Sequence, residues 1–373
     1  MKGLGVYIHI PFCIRKCYYC DFCSFSDRDG RKMRDYTEEL CRRIELSPQL
    51  RGREVDTLYF GGGTPTLLPI ELFEKIFSSV SSTALIAKEA EITAECNPAT
   101  ADREYLGRLR VIGVNRLSIG LQSVHNAELE ALGRAHSFEE LKETYAAART
   151  AGFSNISVDL MYGIPKQTKE SFRESLCTVS ELAPEHISAY GLKVEKGTRF
   201  YSMGESLVLP DEDDECEMYL LMCDLLRQYG YERYEISNFA KEGYRSRHNL
   251  KYWRCEDYLG FGVAAHSCFC GERFGNSRDI DGFLRGEDIE SERYTQSERD
   301  RLNEYIMLSM RLSEGMSITE LERRTGRSIS EVCPQLDTLK KMGYLTERDR
   351  RIAFTDKGAL VSNSILSDML EFD

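Results

Sequence analysis

The chain has 373 residues, of which 42% are hydrophobic and 29% charged, and its formal net charge is −12. This composition is typical of a globular protein with one large and one smaller domain. No apolar run approaches the roughly 18 residues of a transmembrane segment, and the acidic balance argues against a nucleic-acid surface. Thirteen cysteines without an export signal predict free thiols and a cytoplasmic protein.

Strand-like and helical patterns alternate over the first half of the chain. Runs rich in β-branched and aromatic residues predict strands at 6–10, 55–60, 90–95, 116–121, 156–161 and 187–192. Helical periodicity predicts helices at 35–45, 70–79, 101–110, 138–151 and 169–182. This alternation predicts a parallel α/β sheet of right-handed βαβ units. Strand count alone leaves two architectures open, a six-stranded partial barrel and a doubly wound sheet.

The alternation stops near residue 195. A helix is predicted at 211–229, since Pro210 and an acidic turn precede it and Gly230 follows. Helices at 318–325 and 329–342 with strands at 344–346 and 352–354 predict a small winged-helix-like α+β domain, for which packing or partner docking is the favoured role. The pattern divides the chain into a core at 1–240, a connecting region at 241–295 and a C-terminal domain at 296–373.

Three cysteines lie close together in the segment CIRKCYYC, at Cys13, Cys17 and Cys20. They follow the first predicted strand, and loops at the carboxyl ends of barrel strands carry active sites. A four-iron cluster normally takes four cysteine ligands, so three would leave one iron open for a small molecule. Zinc is the alternative, with Cys23 as the fourth ligand.

The strings YIHIPFC and CDF around these cysteines resemble the radical S-adenosylmethionine (SAM) superfamily, and within it the oxygen-independent coproporphyrinogen III oxidase-like family. The resemblance implies a partial (β/α)6 barrel like part of a TIM barrel. It also implies a [4Fe–4S] cluster on Cys13, Cys17 and Cys20, and SAM as a second cofactor.

The resemblance also implies which residues bind SAM, and their chemistry suits its groups. Glycines let the backbone approach a ligand, a carboxylate accepts ribose hydroxyls, and a guanidinium pairs with a carboxylate. The predicted SAM residues are Tyr7, Gly62, Gly63, Thr64, Glu95, Gln122, Arg134 and Asp159.

Three features favour the haem-chaperone branch of this family over the oxidases. Phe22 stands where the oxidases have a further cysteine, and only twelve residues precede Cys13, where the oxidases have a long extension. The segment His248–Trp253 matches the HNxxYW motif of the haem-chaperone branch. The resemblance therefore implies haem binding, with His248 as the predicted axial ligand. His266, Cys268 and Cys270 are rival haem ligands, and His9 is expected to be structural.

The predicted function is that of a haem chaperone, which binds haem and transfers it to an acceptor protein. The alternative is oxygen-independent coproporphyrinogen III oxidase in porphyrin biosynthesis. An electron donor is an expected partner if SAM is cleaved, and no residue is predicted to be catalytic.

Overall fold

The computed structural model describes residues 3–27 and 30–370. Its strands are β1 Leu4–Ile10, β2 Glu54–Gly62, β3 Leu85–Cys96, β4 Arg116–Gln122, β5 Ile156–Tyr162, β6 His186–Gly191, β7 Glu232–Glu235, β8 Asn238–Ala240, β9 Tyr258–Phe261, β10 His266–Phe269, β11 Glu272–Asn276, β12 Glu290–Thr295, β13 Met316–Ser317, β14 Leu345–Arg348 and β15 Arg351–Phe354. Within these described residues, no helix combines the length and apolar character that a membrane crossing requires.

The helices alternate with the first six strands and dominate the second half. They are α1 Arg31–Leu46, α2 Ile70–Thr83, α3 Arg103–Ile112, α4 Asn126–Ala131, α5 Phe138–Thr150, α6 Lys169–Glu181, α7 Arg199–Met203, α8 Glu212–Gln228, α9 Arg247–Trp253, α10 Ile280–Leu284, α11 Glu298–Arg311, α12 Ile318–Thr325, α13 Ile329–Val332, α14 Leu336–Lys341, α15 Asp356–Leu360 and α16 Ser362–Met369. Local signals fix several ends: Ser137 forms a capping box that starts α5, and Gly113 ends α3 in the left-handed conformation.

Strands β1 to β6 are parallel and lie side by side in sequence order. A doubly wound sheet would reverse its strand order at a switch point, so this order excludes that alternative. Side chains of β2, β3, β4, β5 and β6 line one cavity, which requires the sheet to curl around it. The partial (β/α)6 barrel is therefore confirmed.

The large sheet continues beyond both edges of the barrel. Strand β9 pairs in parallel with β1 and leads to β10, β11 and β12, while β8 and β7 extend the edge at β6. Sequence patterns did not predict these short strands. They lie within the predicted connecting region and the end of the predicted core.

The C-terminal part forms a separate three-stranded antiparallel sheet in the order β13–β15–β14, surrounded by short helices. This arrangement confirms the winged-helix-like α+β prediction. One detail was wrong: the helix predicted over 329–342 is two helices, α13 and α14, separated at Cys333–Gln335. Pro334 has no backbone N–H and its ring clashes with the preceding turn, so it breaks the helix there.

Candidate functional site

The cysteine loop follows β1 and is fixed at both ends. The backbone N–H of Cys13 donates to the carbonyl of Phe25 (2.9 Å), and that of Phe25 donates to Pro11 (2.7 Å). Behind the loop, Nε2 of His9 lies 2.9 Å from the carbonyl of Cys23, and Nδ1 lies 3.0 Å from the Tyr7 hydroxyl. Because a carbonyl only accepts, His9 donates to Cys23 and accepts from Tyr7. His9 is structural, as predicted from the sequence.

The thiols of Cys13, Cys17 and Cys20 line one cavity of about 330 Å³ at the carboxyl ends of the barrel strands. Burial raises the pKa of Cys13, and it raises that of Cys20 to about 11. Buried thiols become good ligands when a bound metal supplies the positive charge that stabilises the thiolate. The donor set of three sulfur atoms facing one space therefore fits a metal cluster.

Cys23 lies apart from the three thiols. It is buried, it does not line the cavity, and its thiol faces the carbonyl of Arg278 at 4.0 Å. Zinc needs all its sulfur ligands about 2.3 Å from one point. Over residues 3–27 and 30–370, no three His, Cys, Asp or Glu side chains converge in that way. A four-iron cluster gives each thiolate its own iron, so its ligands need not converge. The zinc alternative with Cys23 therefore has no support in this geometry.

The glycine turn after β2 packs against the cysteine loop. The N–H of Gly63 donates to Ile10 (2.8 Å) and that of Thr64 to Phe12 (2.8 Å). A side-chain carbon at Gly63 would lie 2.6 Å from the Phe12 carbonyl oxygen, so only glycine allows this approach. Thr64 Oγ1 lies 3.6 Å from the Cys13 sulfur. The turn and the cysteine loop thus form one wall of the cavity.

Glu95, at the end of β3, extends a buried carboxylate into the cavity. Its Oε1 accepts from the Tyr59 hydroxyl (2.8 Å) and its Oε2 from the Gly62 N–H (3.1 Å). Burial raises the pKa of Glu95 to about 7; the Asp159 charge adds to the rise, and the hydrogen bonds from Tyr59 and Gly62 oppose it. Near neutral pH this carboxyl group exchanges readily between its neutral and charged forms.

Arg134 is half-buried against the cavity beside Cys17. Its guanidinium donates to the Asn97 side chain and to the Gly120 carbonyl, both at 2.6 Å, and it lies 3.5 Å from the Cys17 sulfur. Its Nε is buried without any partner. A guanidinium that lines a cavity is suited to bind an anionic group such as a carboxylate.

Gln122 and Asp159 complete the polar lining. Gln122 ends β4 with a φ of 80°, an unusual conformation for a residue with a side chain and one that clusters at functional sites. Asp159 accepts from the hydroxyls of Ser118 (3.1 Å) and Ser157 (3.2 Å), and burial raises its pKa. The structure therefore brings both residues to the same cavity as the thiols.

Comparison with known proteins agrees with this geometry. Residues 7–177 match the radical SAM superfamily model, and residues 296–361 match the HemN C-terminal domain. The heme chaperone HemW of Escherichia coli (strain K12) is 37% identical over 372 residues, which cover 98% of each chain. The chain belongs to the HemW family of radical SAM proteins. The heme chaperone HemW of Bacillus subtilis (strain 168) is 33% identical, covering 98% of this chain and 99% of the relative.

A solved structure agrees with the fold of this HemW-family chain. Coproporphyrinogen III oxidase (HemN) from Escherichia coli superposes with a TM-score of 0.86, covering 98% of this chain and 90% of the other. At 24% identity this likeness shows the fold alone. Radical SAM membership implies a [4Fe–4S] cluster and SAM as cofactors.

Two predicted residues do not lie on the cavity wall of this HemW-family chain. Tyr7 lies behind the wall, where it bonds His9 and stacks on Tyr59. His248 is buried in α9, with Thr57 at its Nδ1 (2.9 Å) and the Tyr252 hydroxyl at its Nε2 (2.7 Å). A neutral imidazole has two polar atoms, and both are engaged here. Ligation of haem iron by His248 would require one of these hydrogen bonds to break.

Several residues at the cavity were not predicted, and two of them, Asn97 and Arg116, are polar and deeply placed among the predicted ones. Asn97 accepts from Arg134 and donates to Thr64 Oγ1 (2.7 Å), so it joins two predicted SAM residues. Its position directly after β3 is the sequence feature that could have identified it as a site residue. Arg116, at the start of β4, is 2% exposed and lines the inner end of the cavity, with its Nε unpartnered. No sequence pattern marks a buried arginine, because its neighbours come from other strands.

Proposed function

We propose that this chain binds haem and transfers it to an acceptor protein, with a [4Fe–4S] cluster and SAM held in the barrel cavity. The observation that carries the proposal is full-length similarity to proteins named heme chaperone HemW, at 37% identity for the Escherichia coli relative. The acceptor is a protein, an electron donor serves the cluster, and the location is the cytoplasm. We further propose the division into 1–240, 241–295 and 296–373, with the last part used for packing or docking.

Cys13, Cys17 and Cys20 would hold the cluster, which when bound supplies the electron for SAM cleavage. Arg134 would bind the SAM carboxylate, because its guanidinium lines the cavity beside Cys17. Glu95 would accept the ribose hydroxyls. Gly62, Gly63 and Thr64 would bind the methionine amino group, and Gln122 and Asp159 would complete the pocket, with Tyr7 acting from behind the wall.

The lining of the cavity supports an apolar, anionic cargo such as haem. Phe22, on the cysteine loop, lines the cavity and is 69% exposed. Arg15 and Lys16, on the same loop, also line it. A flat macrocycle with two propionates can pack on Phe22 and place its carboxylates near the cations. The role of His248 as an axial haem ligand stays a prediction. Both ring nitrogens are hydrogen-bonded, so one of these bonds would have to break before a nitrogen could bind iron.

The test is a haemin titration of anaerobically reconstituted protein, with and without SAM. The proposal expects a shifted Soret band at one haem per chain, and weaker binding in Phe22→Ser. Val111→Ser, at a position 87% exposed on α3, is the matched control. Absence of a Soret shift in the unmodified protein would refute haem binding. Conversion of coproporphyrinogen III to protoporphyrinogen IX would favour the oxidase alternative instead.

A further inference from the structure

Helix α9 is anchored against the barrel through its first residues. Ser246 caps it, and the Glu91 carboxylate accepts the backbone N–H groups of Arg247 (3.0 Å) and His248 (2.9 Å). The ring of His248 is 1% exposed. Burial, followed by the charges of Lys251 and Arg116, lowers the pKa of His248 to about 3, so the imidazole is neutral at physiological pH.

The His248 ring packs against a residue that faces the cavity. Its centroid lies 5.2 Å from that of Tyr59, with an interplanar angle of 26°. The Tyr59 hydroxyl in turn donates to Oε1 of Glu95 at 2.8 Å. The hydrogen bonds from His248 to Thr57 and Tyr252 fix the plane of the imidazole. A continuous series of contacts therefore runs from α9 through Tyr59 to the carboxylate in the cavity.

The next residue of α9 reaches the cavity directly. Asn249 lines the cavity together with Arg116, and its side chain makes no hydrogen bond within the described residues. The HNxxYW segment thus contributes Asn249 to the cavity lining and His248 to the layer of side chains behind it.

We propose that α9 is a supporting wall of the SAM cavity and that His248 is a positioning residue, which holds the Tyr59 ring and through it the Glu95 carboxylate. This inference rests on the part of the proposed function that places SAM in the cavity. It does not depend on haem binding. It gives His248 a role different from that of a haem ligand. Measurements of SAM and haemin affinity in His248 variants distinguish the two roles.

The experiment measures SAM and haemin affinities of reconstituted protein carrying His248→Ala, His248→Phe or Tyr59→Phe. We expect His248→Ala to weaken SAM binding by about tenfold, because the stack and the fixed ring are lost. His248→Phe keeps a stacking ring and should stay within about threefold of the unmodified protein. Tyr59→Phe removes only the hydroxyl and should weaken SAM binding by about threefold to tenfold. None of the three should alter haemin affinity.

Iron content and thermal unfolding show which variants are folded, and Tyr59→Phe keeps the inference testable should His248→Ala unfold. His266→Ala, an exposed histidine on β10, is the control for SAM affinity. The inference fails if His248→Ala and His248→Phe both lose haemin binding while SAM affinity is unchanged, the result for a haem ligand. It also fails if the Phe variant loses as much SAM affinity as the Ala variant. If the unmodified protein binds SAM but no haemin, the haem-chaperone proposal alone fails.

Discussion

The cysteine loop and helix α9 each carry a recognisable motif, but the three thiols of the loop and the imidazole of His248 are in opposite situations. The three thiols of the loop face open space, and beside them Arg134 has a buried nitrogen with no partner. In α9, both ring nitrogens of His248 are hydrogen-bonded and the ring is enclosed. The thiols can bind a ligand without breaking a hydrogen bond within the protein, whereas the His248 imidazole cannot. We therefore assign ligand binding to the loop and a supporting role to His248.

The largest expected effect is on the loop. Cys13→Ser, Cys17→Ser or Cys20→Ser should each reduce iron and sulfide from about four per chain to near zero, because each thiolate would hold one iron of the cluster. Cys270→Ser, at an exposed thiol after β10, is the matched control. Iron and sulfide analysis after anaerobic reconstitution measures the effect. If Cys270→Ser lost as much iron and sulfide as the loop variants, the three loop thiols would not be identified as the cluster ligands.

The next effect concerns the unsatisfied arginine. Arg134→Ala should weaken SAM binding by about 1.5–3 kcal/mol, the usual contribution of a hydrogen bond to a charged group. Arg103→Ala, at an exposed position in α3, serves as the control in the same calorimetric titration. Unchanged SAM affinity in Arg134→Ala would show that this guanidinium does not bind the SAM carboxylate.

A smaller effect is expected from pH. The pKa of Glu95 is raised to about 7, so the group is a neutral acid below that pH and a carboxylate above it. Ribose hydroxyls donate to the carboxylate, so SAM binding should tighten as pH rises, by at most about tenfold between about pH 6 and pH 8. Glu95→Gln should bind more weakly and lose this pH dependence. If SAM affinity rose more steeply and at lower pH in both the unmodified protein and Glu95→Gln, the titrating group would not be Glu95.

The smallest effect concerns Asn97, which connects Arg134 to Thr64. Asn97→Ala should cost about 0.5–1.5 kcal/mol of SAM affinity, since it removes one acceptor and one donor. Asn97→Asp keeps the acceptor for Arg134 and should retain more of that affinity. The midpoint potential of the cluster, measured on the same samples, reports whether the Cys17 environment changed. If Asn97→Ala and Asn97→Asp both bound SAM as tightly as the unmodified protein, a positioning role for Asn97 would be excluded.

The sequence predicted the barrel well, since β1 and β4 are buried on both faces and appear as short runs rich in aliphatic residues, separated by helical patterns. It did not predict β7 to β12, which are three to six residues long and range from buried to fully exposed, so their periodicity is weak. Pro334 was the signal that 329–342 would break, and the helical periodicity on either side obscured it.

At the site, spacing predicted the residues whose role depends on their place after a strand, such as Cys13, Glu95 and Arg134. Sequence could not predict the surroundings of His248, because its partners Thr57 and Tyr59 belong to a strand nearly two hundred residues earlier. Its hydrogen bonds therefore appear only in the folded chain.

The most direct measurement is electron paramagnetic resonance of the anaerobically reconstituted, dithionite-reduced protein before and after addition of SAM. Three thiolate ligands and an open iron predict a [4Fe–4S]⁺ signal that changes shape when SAM binds, with about four irons per chain. A colourless protein that holds zinc, or a cluster signal that SAM leaves unchanged, would contradict the account.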